Sequence, residues 1–68
     1  MKVHQVELAK HRDRSIITMV VWVDATLGVK KGNRVTGKDK EQWLVVEVYP
    51  TSVETTEIHD DWKVGGLC

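Results

Sequence analysis

Side chains that could bind a metal ion are few and scattered in this chain of 68 residues. The metal-ligating candidates are His4, His11, His59, Asp60, Asp61 and Cys68. None of them has the paired spacing of a metal site, such as C-x-x-C or H-x-x-x-H. The three consecutive candidates at 59–61 would point to alternate sides of an extended strand, so they would not converge on one ion. The sequence therefore predicts no metal site.

Groups that could act as catalysts are equally sparse. Cys68 is the only cysteine and follows two glycines, so no rigid shell would hold its thiol against a base. Glu54 with Glu57, or Asp60 with Asp61, could form an acid and base pair. A domain of this size leaves little room for a pocket that raises the pKa of one carboxyl. The glycines match neither G-x-x-x-x-G-K-[ST] nor G-x-G-x-x-G. We expect no enzymatic activity and no cofactor.

Composition predicts one small folded domain that spans residues 1–68. Apolar residues make up 41% of the chain and charged residues 29%, with a formal net charge of zero. The longest apolar run, Met19 to Val23, is far shorter than the roughly 20 residues of a membrane-spanning helix. The first fourteen residues lack the apolar region of a signal peptide, and an unpaired cysteine is typical of a reducing compartment. We expect a cytoplasmic protein.

The elements that must position any site are strands, because β-branched residues dominate and helix signals are scarce. Alternation predicts five strands: Val3 to Leu8, Ser15 to Asp24, Arg34 to Lys38, Gln42 to Tyr49, and Trp62 to Val64. The second strand is apolar on both faces, so it is either covered on both sides or keeps one face for a partner.

The connections between the strands are also predicted. Residues 9–14 form a charged loop, and Pro50 ends the fourth strand because proline cannot continue a hydrogen-bonded ladder. Thr51 and Glu54 have the spacing of a capping box, and Ile58 and Trp62 are four residues apart. We therefore expect one or two helical turns between residues 51 and 61.

The stretch from Val29 to Tyr49 resembles the middle hairpin of SH3-like small β-barrels. Lys31, Gly32 and Val35, followed by Gly37, also resemble the KOW element of ribosomal and transcription-elongation proteins. The whole chain is similar in style to short proteins encoded by bacteriophages. The resemblance implies an all-β fold, a five-stranded antiparallel SH3-like barrel, and it implies no particular activity.

Surplus aromatic residues and segregated charge predict a protein-binding module. Residues 1–40 carry nine Lys and Arg against four Asp and Glu, whereas residues 41–68 carry one against six. Three tryptophans exceed what so small a core can hold, and tryptophan is frequent at interaction hot spots. A phage protein of this kind would occlude or redirect a larger host protein. The predicted contact residues are Trp43, Tyr49, Arg34, Lys38 and Trp22.

Four alternatives remain open from the sequence. Trp22 and Trp62 could instead close the two ends of the barrel, and the two charged clusters could meet as surface ion pairs. The basic hairpin could bind nucleic acid through Lys30, Lys31, Arg34, Lys38 and Lys40. The chain could also be a structural or assembly subunit that buries the doubly apolar strand in a homo-oligomer.

Overall fold

Five antiparallel strands form one sheet in the computed structural model, which describes residues 1–59 and 61–65. The strands are β1 (Lys2–Arg12), β2 (Ser15–Asp24), β3 (Arg34–Thr36), β4 (Gln42–Glu54) and β5 (Lys63–Gly65). Their order across the sheet is β2-β1-β4-β3-β5. The predicted all-β class with five antiparallel strands is confirmed.

The sheet does not close into the predicted barrel. Within the described residues β2 pairs only with β1, and β5 pairs only with β3. Closure would require the two outermost strands to pair with each other, yet β5 is three residues long and its ladder follows β3. The sheet therefore keeps two edges, of which β2 is by far the longer.

The first hairpin is longer than the predicted boundaries. β2 spans the predicted residues, but β1 continues through the segment that was expected to be a charged loop. Only Asp13 and Arg14 form the turn, with Asp13 in the left-handed region at φ 57°. Pairing is continuous from Val3 opposite Asp24 to Arg12 opposite Ser15. Ladder hydrogen bonds with β2 thus outweigh the weak strand propensity of the polar residues in this segment.

The prediction that Pro50 ends β4 is wrong, since β4 runs on to Glu54. Pairing with β1 shifts register between Val48 and Ser52, and no ladder partner falls on residues 49–51. Pro50 therefore lies in an irregular stretch where its missing N–H costs no ladder hydrogen bond.

The predicted helical turns between residues 51 and 61 are also wrong for the described part of that range. Residues 51–54 belong to β4, and the rest up to 59 contains bends and no helix. Val53 pairs with Val3, and Thr55 N–H donates to the carbonyl oxygen of Met1 at 2.9 Å. Pairing with the first residues of the chain outweighs the local capping-box signal. The one helical segment in residues 1–59 and 61–65 is a 3-10 turn at Ala25–Leu27.

The core lies on one face of the sheet, which we call the inner face. Its buried residues are Val6, Leu8, Val23, Val29, Val35, Trp43 and Val45. Partly buried side chains, including Ile17, Met19, Val21 and Trp62, pack against them. The alternation of side chains along β1 and β2 produces this arrangement, as predicted. No helix in the described part of the chain is long and apolar enough to cross a membrane.

Candidate binding surface

The opposite face of β2 is apolar and open to solvent. Ile17, Met19, Val21 and Val23 point to the inner face, so the residues between them point to the other side. There Ile16 is 65% exposed, Val20 50% and Trp22 41%. The doubly apolar strand is therefore not covered on both sides: one side packs on the core and the other meets solvent. We call this second side of the sheet the outer face.

The outer face continues across β1, β4 and β3 by cross-strand pairing. Thr18 lies opposite Ala9, Ala9 lies opposite Leu44, and Leu44 lies opposite Arg34. Leu44 is 44% exposed, and Arg34 is exposed at the far side of the row. Paired residues share a face of the sheet, so these four side chains lie in one row across four strands. The row has the Thr18 hydroxyl at one end, apolar side chains in the middle and the Arg34 cation at the other end.

An open cavity of about 630 Å³ lies on this row. Its apolar lining comes from Ala9, Ile16, Leu44 and Val46, among others. Basic side chains also line it: Lys10, His11 and Arg34. A cavity with an apolar lining and convergent basic groups can accept an apolar side chain next to an acidic one.

Carboxylates occupy the outer face beyond this cavity. Glu7 lies directly opposite Glu47 in the β1–β4 ladder and opposite Val20 in the β1–β2 ladder. The Tyr49 hydroxyl is 3.5 Å from Glu7 Oε1, and Tyr49 is 41% exposed. Like charges directly opposite each other repel. The outer face therefore has an acidic region next to the basic residues of the cavity.

Trp43 is buried, with only 7% of its surface exposed, so its prediction as an exposed contact residue is wrong. In the β1–β4 ladder Leu8 pairs with Val45 and Glu7 with Glu47, which leaves Val46 as an extra, bulged residue. The bulge reverses the alternation, so Trp43 lies on the inner face while Tyr49 lies on the outer one. Sequence alternation without the bulge would place both rings on the same side.

The Lys10 ammonium group lies over the Trp43 ring. Its Nζ lies 4.6 Å from the ring centroid and also pairs with Glu41 Oε2. Such a cation–π contact stabilises a half-buried ammonium group. Trp43 Nε1 has no hydrogen-bond partner within residues 1–59 and 61–65, although Trp43 contributes to the lining of the cavity. Trp43 thus belongs to the core on the inner face and also contributes to the lining of the cavity.

Lys38 lies away from the outer face. Its Nζ is 2.8 Å from Asp61 Oδ1, and it lines a different cavity with Gly37, Lys40 and Lys63. Of the five predicted contact residues, the structure therefore brings Trp22, Tyr49 and Arg34 to one face and separates Trp43 and Lys38 from them.

The two charged halves of the sequence meet in part. Ion pairs join residues of the basic half to residues of the acidic half. They are Lys10 with Glu41, Lys38 with Asp61, and the N-terminal ammonium with Glu54 at 3.7 Å. Surface pairs of this kind contribute less than about 1 kcal/mol each. Lys30, Lys31 and Lys40, the remaining residues of the predicted nucleic-acid site, are exposed. In the described part of the chain, no group of three or more His, Cys, Asp or Glu residues could hold a metal ion.

Ile16, Leu44 and Val46 belong to the surface although they were not predicted as contact residues. The apolar second face of β2 was the sequence signal for Ile16. Leu44 and Val46 alternate with Trp43 and Val45, so the prediction of Trp43 as an exposed contact residue placed Leu44 and Val46 on the opposite face from the predicted contact surface. Comparison with family models, with curated proteins and with solved structures finds no match. The resemblance to SH3-like barrels and to phage proteins therefore stays a prediction.

Proposed function

We propose that this protein is a non-enzymatic binding module that recognises another protein through its outer face. The observation that carries the proposal is the set of large apolar side chains exposed on one face of the sheet: Ile16, Val20 and Trp22 on β2, and Leu44 on β4 beyond Ala9 of β1. Burying a large apolar side chain contributes about 1.5–3 kcal/mol when it is fully exposed beforehand, and proportionally less for these half-exposed residues. Several of them together would supply part of the binding free energy, which must also offset the entropy lost on association.

The partner would present an apolar segment flanked by an acidic group. Arg34 and His11 line the cavity, so a carboxylate at its margin would gain a charge-assisted contact. The acidic pair of Glu7 and Glu47 would favour a basic group further along the same partner. The resemblance to short bacteriophage proteins points to a host protein in the cytoplasm, which this module would occlude or redirect.

A matched pair of variants tests the proposal. The immobilised protein is used to capture partners from a bacterial lysate, and the captured proteins are identified by mass spectrometry. The double variant Trp22→Ser with Leu44→Ser removes two exposed outer-face residues, while Ile58→Ser removes an apolar side chain that is 77% exposed beyond the end of β4. We expect the control to retain the captured partner and the double variant to lose it, with circular dichroism unchanged in both. Equal capture by both variants would contradict the proposal.

Nucleic-acid binding is a second candidate function, favoured by the exposure of Lys30 and Lys31 before β3, Arg34 on β3 and Lys40 after it. Phosphate contacts would make the affinity fall linearly with the logarithm of salt concentration. A titration of short RNA and DNA decides this candidate, because absence of binding at about 50 mM salt would remove it.

A further inference from the structure

The free edge of β2 lacks the features that usually prevent edge strands from pairing. No strand among residues 1–59 and 61–65 pairs with this edge, which is ten residues long. From Ser15 to Val23 it contains no charged residue, proline or glycine, and its pairing with β1 shows no bulge. Edge strands are ordinarily protected by such features, and one without them is a template for another strand.

The two-residue turn fixes which backbone groups face that open edge. Arg12 opposite Ser15 is the closing pair of the hairpin, so it is a hydrogen-bonded pair. Alternation along the continuous ladder then makes Ile17, Met19 and Val21 members of hydrogen-bonded pairs with β1. The residues that alternate with them are Ile16, Thr18, Val20 and Trp22. The N–H and C=O groups of these four residues therefore point away from β1 and towards the open edge.

We propose that β2 pairs antiparallel with β2 of a second copy, so that the two sheets become one continuous sheet. Only residues whose backbone groups face the open edge can form hydrogen-bonded pairs across it, so these four residues, together with Asp24 at the end of the strand, must pair with one another. A two-fold axis through Met19 places Ile16 opposite the second copy's Trp22, and Thr18 opposite its Val20. The outer faces of both copies then lie on the same side and form one wider surface.

The charges at the ends of β2 favour this occupant and this register. Arg14 lies in the turn before β2, and Asp24 ends the strand. In the register centred on Met19, Arg14 of each copy lies next to Asp24 of the other copy. The edge is thus positive at one end and negative at the other, which is complementary to its own antiparallel copy. Shifting the axis to Val20 would instead place Ile16 opposite Asp24 and lose both charge contacts.

Sedimentation analysis of two variants tests the pairing. Val20→Pro removes an N–H that points to the open edge and leaves the ladder with β1 intact, whereas Val20→Thr keeps the N–H and the β-branched shape. We expect the natural protein and Val20→Thr to be dimers at 100 μM (a concentration chosen as about a hundred times a micromolar Kd) and Val20→Pro to be a monomer with a native circular dichroism spectrum. A monomeric natural protein, or a dimeric and folded Val20→Pro variant, would overturn the proposal.

Cysteine cross-linking tests the register without depending on the proline variant. In a Cys68→Ser background, Met19→Cys places two thiols on the two-fold axis in a non-hydrogen-bonded pair, where Cα atoms are about 4.5 Å apart and a disulfide can form. Val20→Cys is the control, because its two copies would be diagonal neighbours about 7–8 Å apart. We expect cross-linked dimer for Met19→Cys and little for Val20→Cys. The reverse result, or no cross-link in either variant, would overturn the register.

Discussion

Trp43 and Trp22 have opposite environments although both lie on strands of the same sheet. Trp43 is 7% exposed and packs in the core cluster, whereas Trp22 is 41% exposed on the outer face. Truncating a buried tryptophan to alanine costs about 3–5 kcal/mol, which is comparable to the whole stability of a domain this small. Truncating a surface residue costs about 1 kcal/mol or less.

Trp43→Ala is therefore expected to unfold the protein, and Trp22→Ala to leave it folded. Urea denaturation followed by circular dichroism measures the free energy of unfolding of both variants. A folded Trp43→Ala variant with nearly natural stability would contradict the placement of Trp43 in the core.

Asp24 makes local hydrogen bonds that favour its charged form. Its Oδ1 accepts hydrogen bonds from Thr26 N–H at 2.9 Å and from the Thr26 hydroxyl at 2.8 Å. The backbone hydrogen bond first, and the hydroxyl second, lower the pKa of Asp24 below its ordinary value of 3.8. A carboxyl whose pKa is lowered by folding stabilises the fold above the unfolded-state pKa, and this contribution is lost as pH falls through the folded-state pKa.

Asp24→Asn is expected to lower the melting temperature at pH 7. The difference in melting temperature between the variant and the natural protein should become smaller as pH falls below about 4. Thermal melts of both proteins between pH 2.5 and 7, a range chosen to bracket ordinary carboxyl pKa values of about 4, measure this difference. A difference that is constant over this range would show that the hydrogen bonds of Asp24 do not depend on its charge.

At the scale of elements, β5 is held against β3 partly by the contact between Trp62 and Gly37. A Cβ at Gly37 would lie 3.0 Å from Trp62 Cζ3 and 3.2 Å from Cη2, closer than ordinary van der Waals contact. Trp62 directly precedes β5, and Gly37 directly follows β3. The absence of a side chain at position 37 therefore lets the indole ring approach the turn closely.

Gly37→Ala is expected to displace Trp62 and to destabilise the domain by about 1–3 kcal/mol, the usual cost of overpacking. In the double variant Gly37→Ala with Trp62→Leu, the smaller side chain removes the clash, so the alanine should then cost much less. Urea denaturation of the four proteins of this cycle measures the coupling. Additive effects of the two substitutions would contradict the contact.

The sequence predicted the presence of the strands better than their boundaries or the side chains that each strand exposes to solvent. The bounds of β2 and the start of β4 follow from runs of apolar and β-branched residues, and the face of β1 that carries Val6 and Leu8 follows from simple alternation. The bulge at Val46 and the irregular stretch at Pro50 depend on pairing between β1 and β4, which are distant in sequence. Local patterns do not encode that pairing, so the orientation of Trp43 and the extended conformation of residues 51–54 were not predictable.

For the whole molecule, a single sheet with one covered face explains the surplus of apolar residues. The core occupies the inner face, and the apolar side chains that it does not hold are displayed on the outer face and along β2. Exposed apolar surface of this kind is costly for a protein that acts alone and typical of one that binds. The separation of basic and acidic residues along the sequence leaves less charge for contact with another molecule, because some of these residues form ion pairs with each other, such as Lys38 with Asp61.

The most direct test of the outer face as a binding surface is carbene footprinting of the protein alone and in complex with its captured partner. The account predicts strong labelling of Ile16, Trp22 and Leu44 in the free protein and clear protection of all three in the complex. Ile58 serves as the internal reference and should label equally in both samples. Unchanged labelling of the three outer-face residues in the complex, with protection elsewhere, would contradict the account.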